Sequence, residues 1–216
     1  MIRQPAAPLR RTTSSLRSLA ATAFVALVAA GSSRGVAAAG GPREVMTQTI
    51  DAAFAILKDS SLGGKERRAQ RIAELRRVAD RTFDWSEIAR SSLGVKWRSI
   101  DAAQRARFVE VFKNVLAAQY MDDIDRFQGT ELVTVEGVVP EGGDTVVRTT
   151  LVTSSRERVP MDYRMRLVEG RWMVVDLSIE GVSLVNHFRK TFAAVLANAS
   201  IDELIVRLQR QLPAVR

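Results

Sequence analysis

The spacing of apolar residues changes twice along the chain, and this change limits the fold more than any other feature. Up to Phe127 the apolar residues recur every three or four positions, as on one face of a helix. Between Leu132 and Ile179 they alternate, as in strands with one buried face. From Ser183 onward the helical spacing returns. This order predicts an α+β fold, with helices packed on one face of a curved antiparallel sheet of about four strands and an apolar cleft between them.

Short turn segments divide the alternating region into four predicted strands. The strands lie near residues 132–139, 145–153, 159–168 and 171–179, and the segments between them read PEGGD, SSRE and EG. In the third strand, residues with apolar side chains alternate with charged ones, so we expect the apolar set to share one buried face. The members of this set are Met161, Tyr163, Met165 and Leu167.

Helical spacing predicts helices on both sides of the strands. Two lie near residues 45–57 and 65–80, a short one runs from Asp84 to near Gly94, and two more follow Ser183. The longest begins at Asp101, where Gln104 three positions later gives a pattern typical of a capping box. The strongest periodic signal in the chain is the apolar stripe of this helix, which comprises Phe108, Phe112, Val115, Leu116, Tyr120, Ile124 and Phe127.

Composition limits the number of domains and the kinds of partner. The chain has 216 residues, 46% of them hydrophobic, which is enough for one compact domain but not for two independent enzymatic domains. Its formal net charge of +8 would fit a nucleic-acid or membrane surface. However, residues 1–39 hold five arginines and no acid, and the remainder holds 27 basic against 24 acidic residues. We therefore expect no nucleic-acid partner.

Residues 1–39 have the pattern of a cleavable secretory signal peptide. A basic start precedes an apolar run over residues 19–31, and Ala37-Ala38-Ala39 forms an A-x-A cleavage site that would release a chain starting at Gly40. A membrane anchor is the alternative, but this run is shorter than the roughly 20 residues that span a bilayer. We expect export to the periplasm and a single domain over residues 40–216.

Few residues in the sequence support catalysis or metal binding. The chain has no cysteine and one histidine, which excludes disulfides, thiolate chemistry and most metal-ligand sets. Asp176, Ser183 and His187 have the residue types of a hydrolytic triad, but Ser183 stands where a helix begins and is more simply an N-cap. Asp122 and Asp125 lack further ligands nearby. We expect no catalytic residue, no metal and no cofactor.

Three segments of the chain resemble the MlaC or toluene-tolerance family of periplasmic ABC-transporter auxiliary proteins. They read FDWSEIARSSLGVKW, QRARFVEVFKNVLAAQY and MDYRMRLVEGRWMVVDLSIEGVSLVNHFRKTF, in this order. The resemblance extends over about residues 45–212. Its most specific part is the pairing of Tyr163-Arg164 with Gly170-x-Trp172 to Asp176, which continues into residues 180–184.

The resemblance implies a monomeric lipid carrier rather than an enzyme. Such a protein holds phospholipid tails in an apolar pocket, so phospholipid is cargo rather than a cofactor. It moves lipid between an outer-membrane lipoprotein–porin complex and an inner-membrane ABC transporter complex with a substrate-binding domain, and so maintains outer-membrane lipid asymmetry. Three alternatives stay open. They are a hopanoid carrier of the same family, a periplasmic hydrolase or isomerase on an α+β cone fold, and a non-catalytic adaptor with a filled core and no ligand.

Ten residues are the candidate lipid-binding set that follows from the resemblance. We expect the helix after Ser183 to form one wall of the cavity, and the side of the sheet that carries Met165, Met173 and Val175 to form its base. A charged residue at Phe188 or Val175 should then abolish lipid binding while the fold survives. The full set comprises Phe108, Phe112, Val115, Tyr163, Met165, Met173, Val175, Leu184, Phe188 and Phe192.

Overall fold

The computed structural model describes residues 40–124, 127 and 129–212, and it confirms the α+β class. The expected signal peptide, residues 1–39, lies outside this part, as does Asp125. Two 3₁₀ turns, Ser60–Leu62 and Gly94–Ser99, accompany six α-helices in the described residues. The α-helices are α1 (Pro42–Lys58), α2 (Arg68–Thr82), α3 (Trp85–Leu93), α4 (Ala102–Ile124), α5 (Leu184–Leu196) and α6 (Ile201–Gln209).

Five strands form one antiparallel sheet, in which each strand pairs with its neighbours in the chain. The four expected strands are present, and the fifth has only two residues. Glu180 and Gly181, both with positive φ, form the two-residue turn that returns the chain to β4, as a type I′ turn requires. The strands are β1 (Leu132–Glu141), β2 (Asp144–Val152), β3 (Arg158–Val168), β4 (Arg171–Ile179) and β5 (Val182–Ser183).

Helix α1 covers one face of the sheet. Met46, Ile50 and Phe54 recur at four-residue spacing and pack in one buried cluster with apolar residues of β2, β3 and β4. Met161, Tyr163 and Met165 belong to this cluster, as their alternation predicts. Leu167 does not and is 55% exposed, because it lies next to the end of β3, two residues before the turn into β4.

A β-bulge in β4 changes which side chains share that face. Arg164 pairs with Asp176 but Met165 pairs with Val174, so Val175 is an extra residue in β4. Directly paired residues project to the same face, which places Val174 beside Met165, and Met173 beside Arg166 on the opposite face. The expectation that Met165 and Met173 share one side of the sheet is therefore wrong, because it assumed an unbroken alternation.

Helices α3 to α6 form a second apolar core of their own. Its buried members include the phenylalanines of α4 and α5, together with Ile88, Ala89 and Leu93 of α3 and the inner side of α6. The expected capping pattern at the start of α4 is confirmed, since Gln104 N–H donates to Asp101 at 2.8 Å and Asp101 N–H donates to Gln104 at 3.2 Å. This helical core packs beside β4 through α3 and α5.

The junction between α2 and α3 attaches to β4 by a backbone hydrogen bond. Asp84 N–H donates to the Val174 carbonyl at 2.9 Å, and Phe83 forms an isolated bridge with the same residue. The Asp84 side chain then accepts from Glu87 N–H at 2.9 Å and caps α3, as the sequence predicts. The start of α3 is therefore fixed against the sheet.

A charged network also ties α3 to strands β2 and β3. Arg166 of β3 donates to both carboxylate oxygens of Asp144, at 2.6 and 2.9 Å, and to Glu87 at 3.3 Å. Glu87 also accepts from Arg90 at 2.6 and 2.7 Å and from Ser91 at 3.0 Å. Burial raises the pKa of Glu87, but these hydrogen bonds and the two arginine charges outweigh it, so its pKa lies below the ordinary value of 4.5.

We expect Glu87→Gln to lower the free energy of unfolding by about 1–2 kcal/mol at pH 7. Folding lowers the pKa of Glu87. The stabilisation that its carboxylate provides is therefore fully present above pH 4.5 and is lost as the pH falls through the pKa of the folded state. Urea unfolding of both proteins between pH 7 and pH 3 should therefore show a difference that shrinks at low pH. Glu74→Gln, in an exposed pair with Arg77, is the control and should have little effect. A difference that grows with acid would contradict this assignment.

Candidate functional site

A largely apolar cavity lies between α2, α3, α4, α5 and the end of β4. The space between its walls is about 930 Å³, a volume that includes solvent at the opening. Its apolar lining comprises Ile72, Leu75, Ala79, Phe83, Trp85, Ile88, Phe112, Leu116, Ala117, Leu177, Ile179, Leu184 and Phe188.

Helical spacing explains why these side chains face one space. On α2 the cavity residues Ile72, Leu75 and Ala79 follow one another at intervals of three and four. On α4 Phe112 and Leu116 are four apart and therefore lie on one face of the helix. The apolar stripes that would fill a core in a closely packed protein here leave a space between the helices.

An aromatic cluster supports the wall formed by α4 and α5. The ring of Phe112 lies 4.9 Å from that of Phe188 and 5.2 Å from that of Phe192, both edge-on, and 5.5 Å from that of Phe108. Phe108 and Phe192 are almost completely buried behind the lining. Such contacts fix ring positions, so this side of the cavity is rigid.

Charged groups lie at the solvent side of the cavity. Lys113 of α4 donates to Asp80 of α2 at 2.8 Å, and their side chains are 24% and 40% exposed. Trp85 Nε1 donates to the other oxygen of Asp80 at 2.9 Å. This ion pair therefore joins α2 to α4 at the rim, and Arg76 of α2 also lines the cavity.

Two buried polar atoms in the cavity lining have no hydrogen-bond partner. They are Arg76 Nε and Ser92 Oγ, and they are the two such side-chain atoms found in the part of the chain that the structure describes. Ser92 is fully buried, whereas Arg76 is half-buried. Buried polar groups nearly always have partners, so both atoms need an explanation.

A second, smaller cavity lies between α1, α2 and the sheet. It encloses about 530 Å³, including the part open to solvent, and Met46, Ile50 and Tyr163 are among its lining residues. Burial raises the pKa of Tyr163 far above its ordinary value, so this phenol stays neutral. Leu75, Ala79, Phe83 and Leu177 line both cavities. These four residues therefore separate one apolar space from the other.

The structure brings only part of the candidate lipid-binding set into one space. Three of its members line the main cavity, one lines the second cavity, and the other six line neither. The three are Phe112, Leu184 and Phe188, the one is Tyr163, and the six are Phe108, Val115, Met165, Met173, Val175 and Phe192. Contact of any of them with a ligand stays a prediction.

Sequence reasoning missed the contribution of α2 and α3 to the lining. The apolar spacing of Ile72, Leu75 and Ala79 shows that α2 has a buried face, but not what that face meets.

The ring of Phe188 is closely packed, with its centroid 4.9 Å from that of Phe112. A charged residue there would disrupt the helical core, so the expectation that the fold survives this change is not supported by the packing.

Asp176 and Ser183 form a helix cap, and His187 does not complete a triad with them. Ser183 Oγ accepts from Asn186 N–H at 3.1 Å and donates to Asp176 at 2.5 Å. Asp176 also accepts from the backbone N–H of Leu177 at 2.9 Å and of Val185 at 3.1 Å. Among the described residues no hydrogen bond joins His187 to Ser183, and the imidazole instead lies edge-on to Phe188, 5.2 Å between centroids. The expected N-cap is confirmed.

Metal sites and membrane-spanning helices are not found in the described ranges. No three histidine, aspartate or glutamate side chains there are grouped so that they could hold a metal ion. Over the same residues, every helix is too short or too polar to cross a bilayer.

Comparison with known proteins identifies both a family and a fold. The family model described as MlaC protein matches residues 47–210. A phospholipid-binding protein from Ralstonia solanacearum, solved in complex with a phospholipid, superposes with a TM-score of 0.69 at 20% sequence identity. The match covers 80% of this chain and 97% of the Ralstonia chain. At this identity the superposition shows a common fold.

We expect Asp176→Ala to lower the free energy of unfolding by about 1–2 kcal/mol, because three donors lose their acceptor. Asp176→Asn should lose less, since its amide oxygen still accepts from Leu177 and Val185. Urea unfolding of both variants measures the difference. Ser183→Ala, which removes one cap acceptor, should fall near Asp176→Asn. A wild-type stability for Asp176→Ala would contradict the capping role.

Proposed function

This chain belongs to the MlaC family, and we propose on that basis that it is a lipid carrier that holds the acyl chains of a phospholipid in the main cavity. The observation that carries the proposal is the cavity between α2, α3, α4, α5 and β4, whose lining is mainly apolar and whose Lys113–Asp80 ion pair is partly exposed. The solved Ralstonia relative, named as phospholipid-binding and containing a phospholipid, supports the same cargo class.

The apolar walls match the physical problem that lipid tails present in water. Exposure of an acyl chain of about 15 methylenes costs about 12 kcal/mol, at about 0.8 kcal/mol for each methylene. Lining residues such as Ile72, Leu116 and Ile179 replace water with apolar contacts along the chain. A protein with such a cavity removes most of this cost while the lipid crosses an aqueous compartment.

The rim matches the anionic part of the same lipid. Arg76 and Lys113 both line the cavity, and Lys113 has Asp80 as its partner. A phosphodiester at the opening would meet two cations, and an arginine binds phosphate oxygens through several N–H groups. We therefore place the tails inward and the headgroup at the rim.

Transport between membranes completes the proposal. In this proposal residues 40–216 form one periplasmic lipid-binding domain that passes lipid between an outer-membrane lipoprotein–porin complex and an inner-membrane ABC transporter with a substrate-binding domain. Exchange of this kind would maintain outer-membrane lipid asymmetry. Arg166 is partly exposed but is already paired within the chain with Asp144 and Glu87, so we expect other surface cations to contact these partners.

The first test is to identify the lipid that copurifies with the protein. Residues 40–216 would be purified from bacteria without detergent, and the bound lipid would be extracted and identified by mass spectrometry alongside the native mass of the intact protein. We expect about one two-chain phospholipid per monomer. A hopanoid instead would change the cargo class. A folded, empty protein that takes up no lipid from phosphatidylglycerol vesicles would refute the carrier function.

Ala117→Trp should block the main cavity and lower lipid occupancy at least tenfold. Ala117 is a half-buried residue of α4 that lines the main cavity. An indole at this position would occupy the space that we assign to an acyl chain. Ala118→Trp is the matched control, because Ala118 is also half-buried on α4 but does not line the cavity. Native mass spectrometry gives the occupancy and thermal unfolding checks the fold. Equal occupancy in the two variants would place the tails elsewhere.

A further inference from the structure

Ser92 is one of the residues that line the main cavity. The residue is 0% exposed, and its Oγ has no hydrogen-bond partner among the residues that the structure describes. A buried serine in a helix usually donates to the carbonyl four residues earlier, which here is that of Ile88. Its neighbour Ser91 does have a partner, since it donates to Glu87 at 3.0 Å. Ser92, which lines the cavity, therefore differs from the adjacent Ser91 in having no partner within the described part of the chain.

Arg76 presents a second unpartnered group to the same space. Its Nε is buried and makes no hydrogen bond, although the side chain as a whole is half-buried. The other lining cation, Lys113, differs because it is paired with Asp80. The cavity lining thus includes the Ser92 hydroxyl group on α3 and the Arg76 Nε–H on α2, and neither has an acceptor among the described residues.

We propose that Ser92 and Arg76 recognise the ester region of the bound lipid, an inference that rests on the proposed carrier function. Ser92 Oγ–H donates to the carbonyl oxygen of an ester-linked acyl chain. Arg76 Nε–H donates to a second oxygen of the same lipid. No bond is made or broken. Ser92 determines whether an ester-linked lipid is preferred, whereas Arg76 contributes to the binding of ester-linked and ether-linked lipids alike.

This assignment gives the cavity a basis for selectivity that apolar walls lack. A site built around hydrogen-bonding groups rejects an analogue without the matching atom, because the buried groups then stay unpaired. An ether-linked lipid has the same tails and phosphate but no carbonyl. The apolar skeleton of a hopanoid also lacks an ester carbonyl, so the same pair of residues would favour a diacyl phospholipid over it.

The test compares two lipids in three proteins. Vesicles contain equal amounts of diacyl phosphatidylglycerol and dialkyl-ether phosphatidylglycerol of equal chain length, and native mass spectrometry measures the ratio of the two lipids taken up. Wild type should prefer the diacyl lipid by about threefold to tenfold, which corresponds to one net hydrogen bond. Ser92→Ala should lose most of this preference, and Ser91→Ala should keep it. Arg76→Met should reduce total uptake of both lipids.

The outcomes separate this inference from the carrier function. Equal uptake of both lipids by wild type, or an unchanged preference in Ser92→Ala, overturns the role of Ser92 and leaves the carrier function standing. Uptake of neither lipid by wild type overturns both. Ser92→Ala should be at least as stable as wild type, because it removes an unpaired buried group. If it failed to fold, Ser92→Cys, which is similar in size and a weak donor, would give the same comparison.

Discussion

The attachment of three helices to strand β4 determines where the cavity lies. The carbonyl of Val174 accepts from Asp84 between α2 and α3, and the carboxylate of Asp176 accepts from Val185 at the start of α5. Because β5 pairs with β4 over only two residue pairs, the rest of this edge is free for such contacts. The Val175 bulge lies between these two anchors and sets their directions. The helices thus meet at one strand, and a space remains between them.

The walls of that space differ in rigidity. The side formed by α4 and α5 carries an aromatic cluster with ring distances of 4.9–5.5 Å. Helix α2, by contrast, packs mainly on α1. Leu75 and Ala79 of α2, with Phe83 just after it, form part of the partition between the two cavities. The partition also includes Leu177 of β4, and Phe83 forms a bridge with Val174, so the separation of the two spaces depends on the sheet as well as on α2.

Local patterns predicted the elements and their caps, but not the side chains that meet. The caps at Asp84, Asp101 and Ser183 depend on residues three positions away and were therefore visible in the sequence. The bulge in β4 was not, because one extra residue leaves the turn signals unchanged while it moves Met173 to the other face. The α2 wall was missed for a related reason: an amphipathic stripe shows that a face is buried, but not whether it faces a core or a cavity.

The two unpartnered atoms in the lining connect stability with binding. In the empty protein, Ser92 Oγ and Arg76 Nε lose their water without gaining an acceptor, which costs about 1–3 kcal/mol for each group. A lipid that supplies acceptors removes this cost only in the bound state, so binding stabilises the fold by more than apolar contact alone. For a carrier this is useful, because the excess depends on chemistry that only the right cargo has.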